Sequence, residues 1–131
     1  MKLASFVICE KTEISNDNKT RIINPLQMIV LNNFPNNYTF SVSFGLFDTP
    51  KTNFKLFIEI LKGEKSFGVV EGEVAPGIEL LKNAKYGIQI NLDFNNFSFE
   101  EAGTYVFRIS DENGVIGDFG MEVVYVTSAI Q

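Results

Sequence analysis

A chain of 131 residues with 45% apolar content is sized for a single domain, 1–131, with its own core, and needs neither disulfides nor a structural metal to hold it together. A net charge of −5 and a pI near 4.7, with lysines scattered among carboxylates, exclude broad nucleic-acid binding, which draws on clustered Lys and Arg. The absence of histidine removes Ser-His and Cys-His nucleophilic chemistry, the common zinc sites and the most frequent general base.

Residues 2–10 predict a first strand. The run KLASFVICEK at 2–11 superficially resembles a signal peptide, but its apolar part is short and Glu10 and Lys11 end it without a small-residue cleavage site. No run reaches the roughly 18 apolar residues of a membrane helix, so the chain is expected to be soluble and cytoplasmic, with no membrane partner. The lone Cys9 has no intramolecular disulfide partner. In an apolar run it reads as a small buried hydrophobe, with no neighbouring base or cation to activate it.

SNDNK at 15–19 is a turn, followed by a predicted strand over 20–31 that Asn24-Pro25 interrupts as a bulge or an edge position. NNFPNN at 32–37 leads into TFSVSFGLF, where Phe40, Val42, Phe44 and Leu46 share one face and Ser41 and Ser43 the other. After DTPKTN, the run NFKLFIEI alternates Phe54, Leu56, Ile58 and Ile60 with Lys55 and Glu59, giving a strand over 54–62. KGEK at 62–65 turns the chain into a strand over 66–73. PGIELLKN at 76–83 suits a short helix, with Pro76 in its first turn. YGIQINLDF then alternates over 86–94, and further strands are predicted at 103–110 and 118–126 on either side of DENG. Period-two alternation, regular turns and no βαβ rhythm predict an all-β, immunoglobulin-like antiparallel two-sheet sandwich of about seven to nine strands.

EEAGTYVF at 100–107 carries a specific signature. Glu101, Gly103, Tyr105 and Phe107 follow the tyrosine-corner pattern of immunoglobulin-like sandwiches, with Phe107 where antibody domains place a cysteine. In that motif the tyrosine hydroxyl bonds a backbone group a few residues upstream. This is architecture and carries no function.

FVICE at 6–10, RIINPLQMIVLNNFP at 21–35, TFSVSF at 39–44 and GTYVFRISDENG at 103–114 follow one another in an order that resembles a family of small bacterial proteins. That family has an immunoglobulin-like β-sandwich and is classed as a domain of unknown function. The resemblance covers nearly the whole chain and implies a fold, with no reaction and no catalytic residues to carry over. Asn24-Pro25 departs from it where a glycine would be usual. The resemblance further suggests an accessory protein of a bacterial or prophage operon.

Two surfaces stand out as candidate sites, and no catalytic or cofactor-binding residue does. If successive strands run alternately up and down, the loops bearing Asp17, Asp48, Asp111 and Asp118 gather at one end as an acidic rim suited to calcium or a basic partner. The same residues serve turns for backbone reasons alone. Val106, Val124 and Val126 alternate with core-facing Tyr105, Phe107, Val123 and Tyr125 and form an apolar strip on an outer sheet face, the mark of an interface. The expected function is a non-catalytic protein-binding or assembly module of unidentified partner. A homo-oligomeric structural protein and a calcium-dependent recognition domain are its rivals.

Overall fold

A computed structural model describes residues 1–17, 19–50, 52–74 and 88–127, and the predicted helix at 76–83 lies outside them. Nine strands follow in order: β1 Lys2–Ile14, β2 Thr20–Pro25, β3 Met28–Leu31, β4 Asn36–Phe47, β5 Phe54–Lys62, β6 Lys65–Val74, β7 Ile88–Phe99, β8 Gly103–Asp111 and β9 Gly114–Tyr125. They form one sheet ordered β2-β1-β4-β7 and another ordered β3-β9-β8-β5-β6, packed as a sandwich. The expected all-β immunoglobulin-like sandwich is the fold found. The run β9-β8-β5-β6 has the G-F-C-C′ order of a variable-type sheet, and β1-β4-β7 the A-B-E order of its partner.

Alternation explains the core. Phe40, Val42, Phe44 and Leu46 of β4 are buried against Leu56, Ile58 and Ile60 of β5, Tyr105, Phe107 and Ile109 of β8, and Met121 and Val123 of β9. Phe40 meets Phe107 edge-on across the two sheets, with ring centroids 6.0 Å apart, and stacks on Phe94 at 5.1 Å. Each buried Phe contributes about 1.5–3 kcal/mol through area alone, with about 0.5–1.5 kcal/mol more per well-placed ring pair.

One predicted strand is two. The stretch 20–31 divides between β2, in the first sheet, and β3, in the second. Asn24 adopts a left-handed φ of 51°, which asparagine tolerates, and Pro25 closes β2 opposite Cys9. Leu26 N–H then donates to the Ile8 carbonyl at 2.7 Å, and the chain turns across to the other sheet. There β3 runs parallel to β9, from Met28↔Glu122 to Leu31↔Tyr125, the one departure from antiparallel pairing among the described strands.

The tyrosine corner is present. Tyr105 is fully buried and its hydroxyl donates to the Glu101 carbonyl at 2.7 Å. Burial, above all, raises its pKa, so the phenol stays a donor. Gly103 has a φ of 138°, and a Cβ there would stand 2.6 Å from Lys62 Cε, so the position requires glycine. The Lys62 ammonium continues past it to Glu101 Oε1 at 2.9 Å, and Lys65 pairs with Glu100 at 2.8 Å. The loop before β8 is therefore held from within by the tyrosine and from outside by two lysines of the β5–β6 hairpin. Tyr105→Phe is expected to lose roughly 1–2 kcal/mol in a chemical-denaturation measurement, the scale of a buried acceptor left unmet. An unchanged midpoint would show that the Glu101 carbonyl finds water instead.

Candidate functional site

The four aspartates of the predicted calcium rim do not converge. β1 begins beside the end of β4, at Lys2↔Phe47, and finishes at Ile14↔Thr20, so its two ends mark the two ends of the sandwich. Asp48 directly follows β4 at the first end, and Asp111 lies there too, in a surface depression shared with Met1 and Asn113. Asp17 sits in the β1–β2 turn at the opposite end. The prediction counted 20–31 as one strand; the reversal between β2 and β3 adds a change of direction and moves every later loop to the other end.

Each aspartate is also otherwise engaged or apart. Asp17 accepts from the Ser15 hydroxyl, which lowers its pKa, and sits 3.5 Å from Lys19 Nζ. Asp111 accepts from the Asn113 amide at 2.8 Å in the β8–β9 turn. Asp118 is not in a loop but within β9. It accepts Arg108 Nε at 2.9 Å and Nη2 at 3.0 Å, a bidentate pair that holds its carboxyl below the usual range. Among the described residues no three His, Cys, Asp or Glu side chains are grouped to hold a metal.

The outer face of the four-stranded sheet carries a polar ladder that sequence reasoning passed over. Ser41 Oγ donates to Asp93 Oδ1 and Ser43 Oγ to Asn91 Oδ1, both at 2.6 Å, while Gln89 Nε2 donates to Ser43 Oγ at 2.7 Å. Asn91 Nδ2 reaches Thr20 Oγ1 at 3.2 Å. By register Asn91 lies level with Val7 of β1, and Thr20 level with Ile14. The two meet only because the β1–β2 ribbon leaves β4 after Cys9 and curls back over this face. Its cover buries Cys9, Ser41 and Ser43 on what would otherwise be a wet surface. The Cys9 thiol donates to the carbonyls of Lys11 at 3.4 Å and Ser41 at 3.6 Å. Desolvation first, then the Asp93 charge, raises its pKa. The alternation of Ser41 and Ser43 with Gln89, Asn91 and Asp93 was the available signal; the cover was not.

The valine strip is interrupted. Val106 lies opposite Gly120, and Val124 opposite Val30 of β3, on the outer face of the five-stranded sheet. Thr104 and Glu122 pair between them, the hydroxyl donating to the carboxylate. Val106 is thereby separated from Val124, while Val126 follows β9 with its amide donating to the Leu31 carbonyl at 2.9 Å. The continuous apolar group lies at the β3 edge instead: Met28 and Val30, each 48% exposed, beside half-buried Val124. Tyr125, also exposed, stands at the same corner with its ring 6.3 Å from that of Phe34. Met28 and Val30 were missed because their strand had been merged with β2.

The chain belongs to the family of unknown function DUF6941, whose sequence model matches residues 4–124. No curated protein matches it. Among solved structures it is similar to a β-glucosidase from Listeria innocua in complex with isofagomine, at 12% identity with a TM-score of 0.46, over 93% of this chain and 16% of that one. A GH3 β-glucosidase from Bifidobacterium adolescentis aligns at 10% identity and a TM-score of 0.39, over 92% of this chain and 17% of that one. The chain thus spans about a sixth of the length of these enzymes.

Two measurements check the site chemistry. Millimolar calcium or a chelator is expected to leave the thermal midpoint unmoved; a calcium-dependent rise would restore a metal site. Cys9 is expected to resist a thiol reagent at neutral pH until the chain is unfolded, since the ribbon covers it and its pKa is raised. Rapid labelling of the folded protein would show that the ribbon opens.

Proposed function

We propose that the protein is a non-catalytic protein-binding or assembly module that works through the β3 edge of its five-stranded sheet. The observation that carries this reading is the group of Met28, Val30 and Val124, apolar side chains set next to one another on an outer face. Of the other large exposed apolar residues, Tyr125 stands at the same corner, while the rest lie on the β1–β2 ribbon, on the β6 edge or at the start of β9, away from this group. Burying a cluster of this kind against a partner removes apolar area from water at about 25 cal/mol per Å² before the costs of association. A short edge strand beside it leaves backbone groups able to pair with a partner.

The reading extends to a cytoplasmic accessory protein of a bacterial or prophage operon. Its support is the resemblance to small bacterial proteins and the single cysteine, which suits a reducing compartment. The acidic balance favours a neutral or basic partner protein over nucleic acid.

Val124→Lys places a charge inside the apolar group while leaving the core alone. A tagged chain used as bait in lysate is expected to lose its captured partner by about tenfold or more on this substitution, with an unchanged melt. Solution mass distinguishes the rival: a parent dimer that becomes a monomer on Val124→Lys would make the module a homo-oligomer. Equal capture by parent and variant would remove the surface from the function.

A further inference from the structure

β9 is covered on its outer side over only part of its length. β3 pairs with it from Glu122 to Tyr125, so Gly114–Met121 are paired to β8 alone. β1 is bare in the same region, because β2 covers it from Cys9 onward, Leu26 takes the Ile8 carbonyl, and Lys2–Val7 pair with β4 alone. Between these two half-edges lies a groove of about 370 Å³, lined by Phe6, Ile8, Leu26 and Phe119 with Gly120 on its rim. Its floor is fixed: Phe6 and Phe119 stack at 4.3 Å and 7°, and Leu3 packs so tightly on Gly117 that a Cβ there would come within 2.6 Å of it. Its closed end is the Leu26–Gln27 corner, tied to β1 by the Leu26–Ile8 hydrogen bond.

The β9 half-edge carries a β-bulge at Ile116, between the Val115↔Ser110 and Gly117↔Ile109 pairs, but few other devices that keep sheet edges from pairing. GVIGDFGM, 114–121, contains no proline and no lysine. Its one charge, Asp118, is held by Arg108 on the outer face. β2, by contrast, is six residues long with Arg21 and a terminal Pro25, and β6 carries Lys65, Glu71 and Glu73.

We infer that an extended segment of a partner protein adds as a strand to the Gly114–Met121 edge of β9, in line with β3, and sets alternate apolar side chains into the Phe6–Leu26–Phe119 groove. The chain's own β3 already occupies the next four residues of this edge, so the row of backbone donors and acceptors continues in the same direction. Charge selects the occupant. Glu122 borders the edge, Asp118 and Arg108 neutralise one another, and the chain carries −5 overall. A segment with uncharged or basic outward residues fits, whereas an acidic segment or a second copy of this chain brings like charge. The inference rests on the protein-binding reading and names the partner's chemistry.

The test pans a display library of random linear peptides, about ten residues long as in an ordinary strand, on the full chain. Amide hydrogen exchange of the unsubstituted protein is then followed with the enriched peptides. Enriched sequences are expected to alternate apolar with polar or basic residues. They should slow exchange at those amides of Gly114–Met121 that point away from β8 by about tenfold or more. Gly120→Asp, whose Cβ would meet only Thr104 Cγ2 at 3.9 Å, is expected to weaken these peptides by roughly tenfold while the melt stays put. Enriched peptides that protect Met28–Leu31 and leave Gly114–Met121 unchanged would overturn the groove while sparing the binding-module reading. Absence of enrichment would overturn the groove as well, and joined to unaltered capture by Val124→Lys it would overturn both.

Discussion

The ring cluster around Phe40 is the contact on which the rest of the structure depends. Phe40 touches Phe94, Phe97 and Phe99 on its own side of the sandwich and Phe107 on the other, and Phe107 in turn meets Phe6. These contacts set the registers of β1, β4, β7 and β8 together, since a one-residue slip in any of them would turn its phenyl rings outward. The outer faces are then settled by default. The parity that buries Phe107 and Val123 puts Val106 and Val124 outside, and the parity that buries Val42 and Phe44 puts Ser41 and Ser43 on the opposite face.

The buried polar groups are bonded to one another or to the backbone. Among the described residues no buried side-chain nitrogen or oxygen lacks a partner. Tyr105 serves the corner, Arg108 serves Asp118, and the Ser41–Asp93 and Ser43–Asn91 bonds serve the face under the ribbon. Groups so engaged stabilise the fold. What the architecture leaves open is backbone and apolar surface: the short β3, the outer group around Val124, and the bare half of β9. These lie on the same side of the five-stranded sheet.

Much of this fold was legible because the relevant interactions are local in sequence. The alternation in TFSVSFGLF and NFKLFIEI marks strands whose pleat alone sorts side chains between core and surface. EEAGTYVF was readable as a corner because its hydroxyl acceptor lies four residues away. The acidic rim was misread at two places: the passage from β2 to β3, and the start of β9, which already contains Asp118. Ile22, Ile23, Ile29 and Val30 are apolar on both sides of Asn24-Pro25, and apolar content alone does not show that the sheet changes there. That change of direction relocated Asp48 and Asp111 relative to Asp17, and it exposed Met28 and Val30.

By itself, then, the sequence determined the class of fold, the buried faces of β4, β5 and β8, the corner at Tyr105 and the exclusion of histidine-based chemistry, because each follows from residue type or from spacing of a few residues. Tertiary structure decided which strands are neighbours, that β3 runs parallel to β9, that the β1–β2 ribbon hides Cys9, and that β9 keeps a bare edge beside a groove. Those features arise from pairing between segments as far apart as Thr20 and Asn91 or Phe6 and Phe119, and a period-two pattern carries no information about which strand lies alongside which.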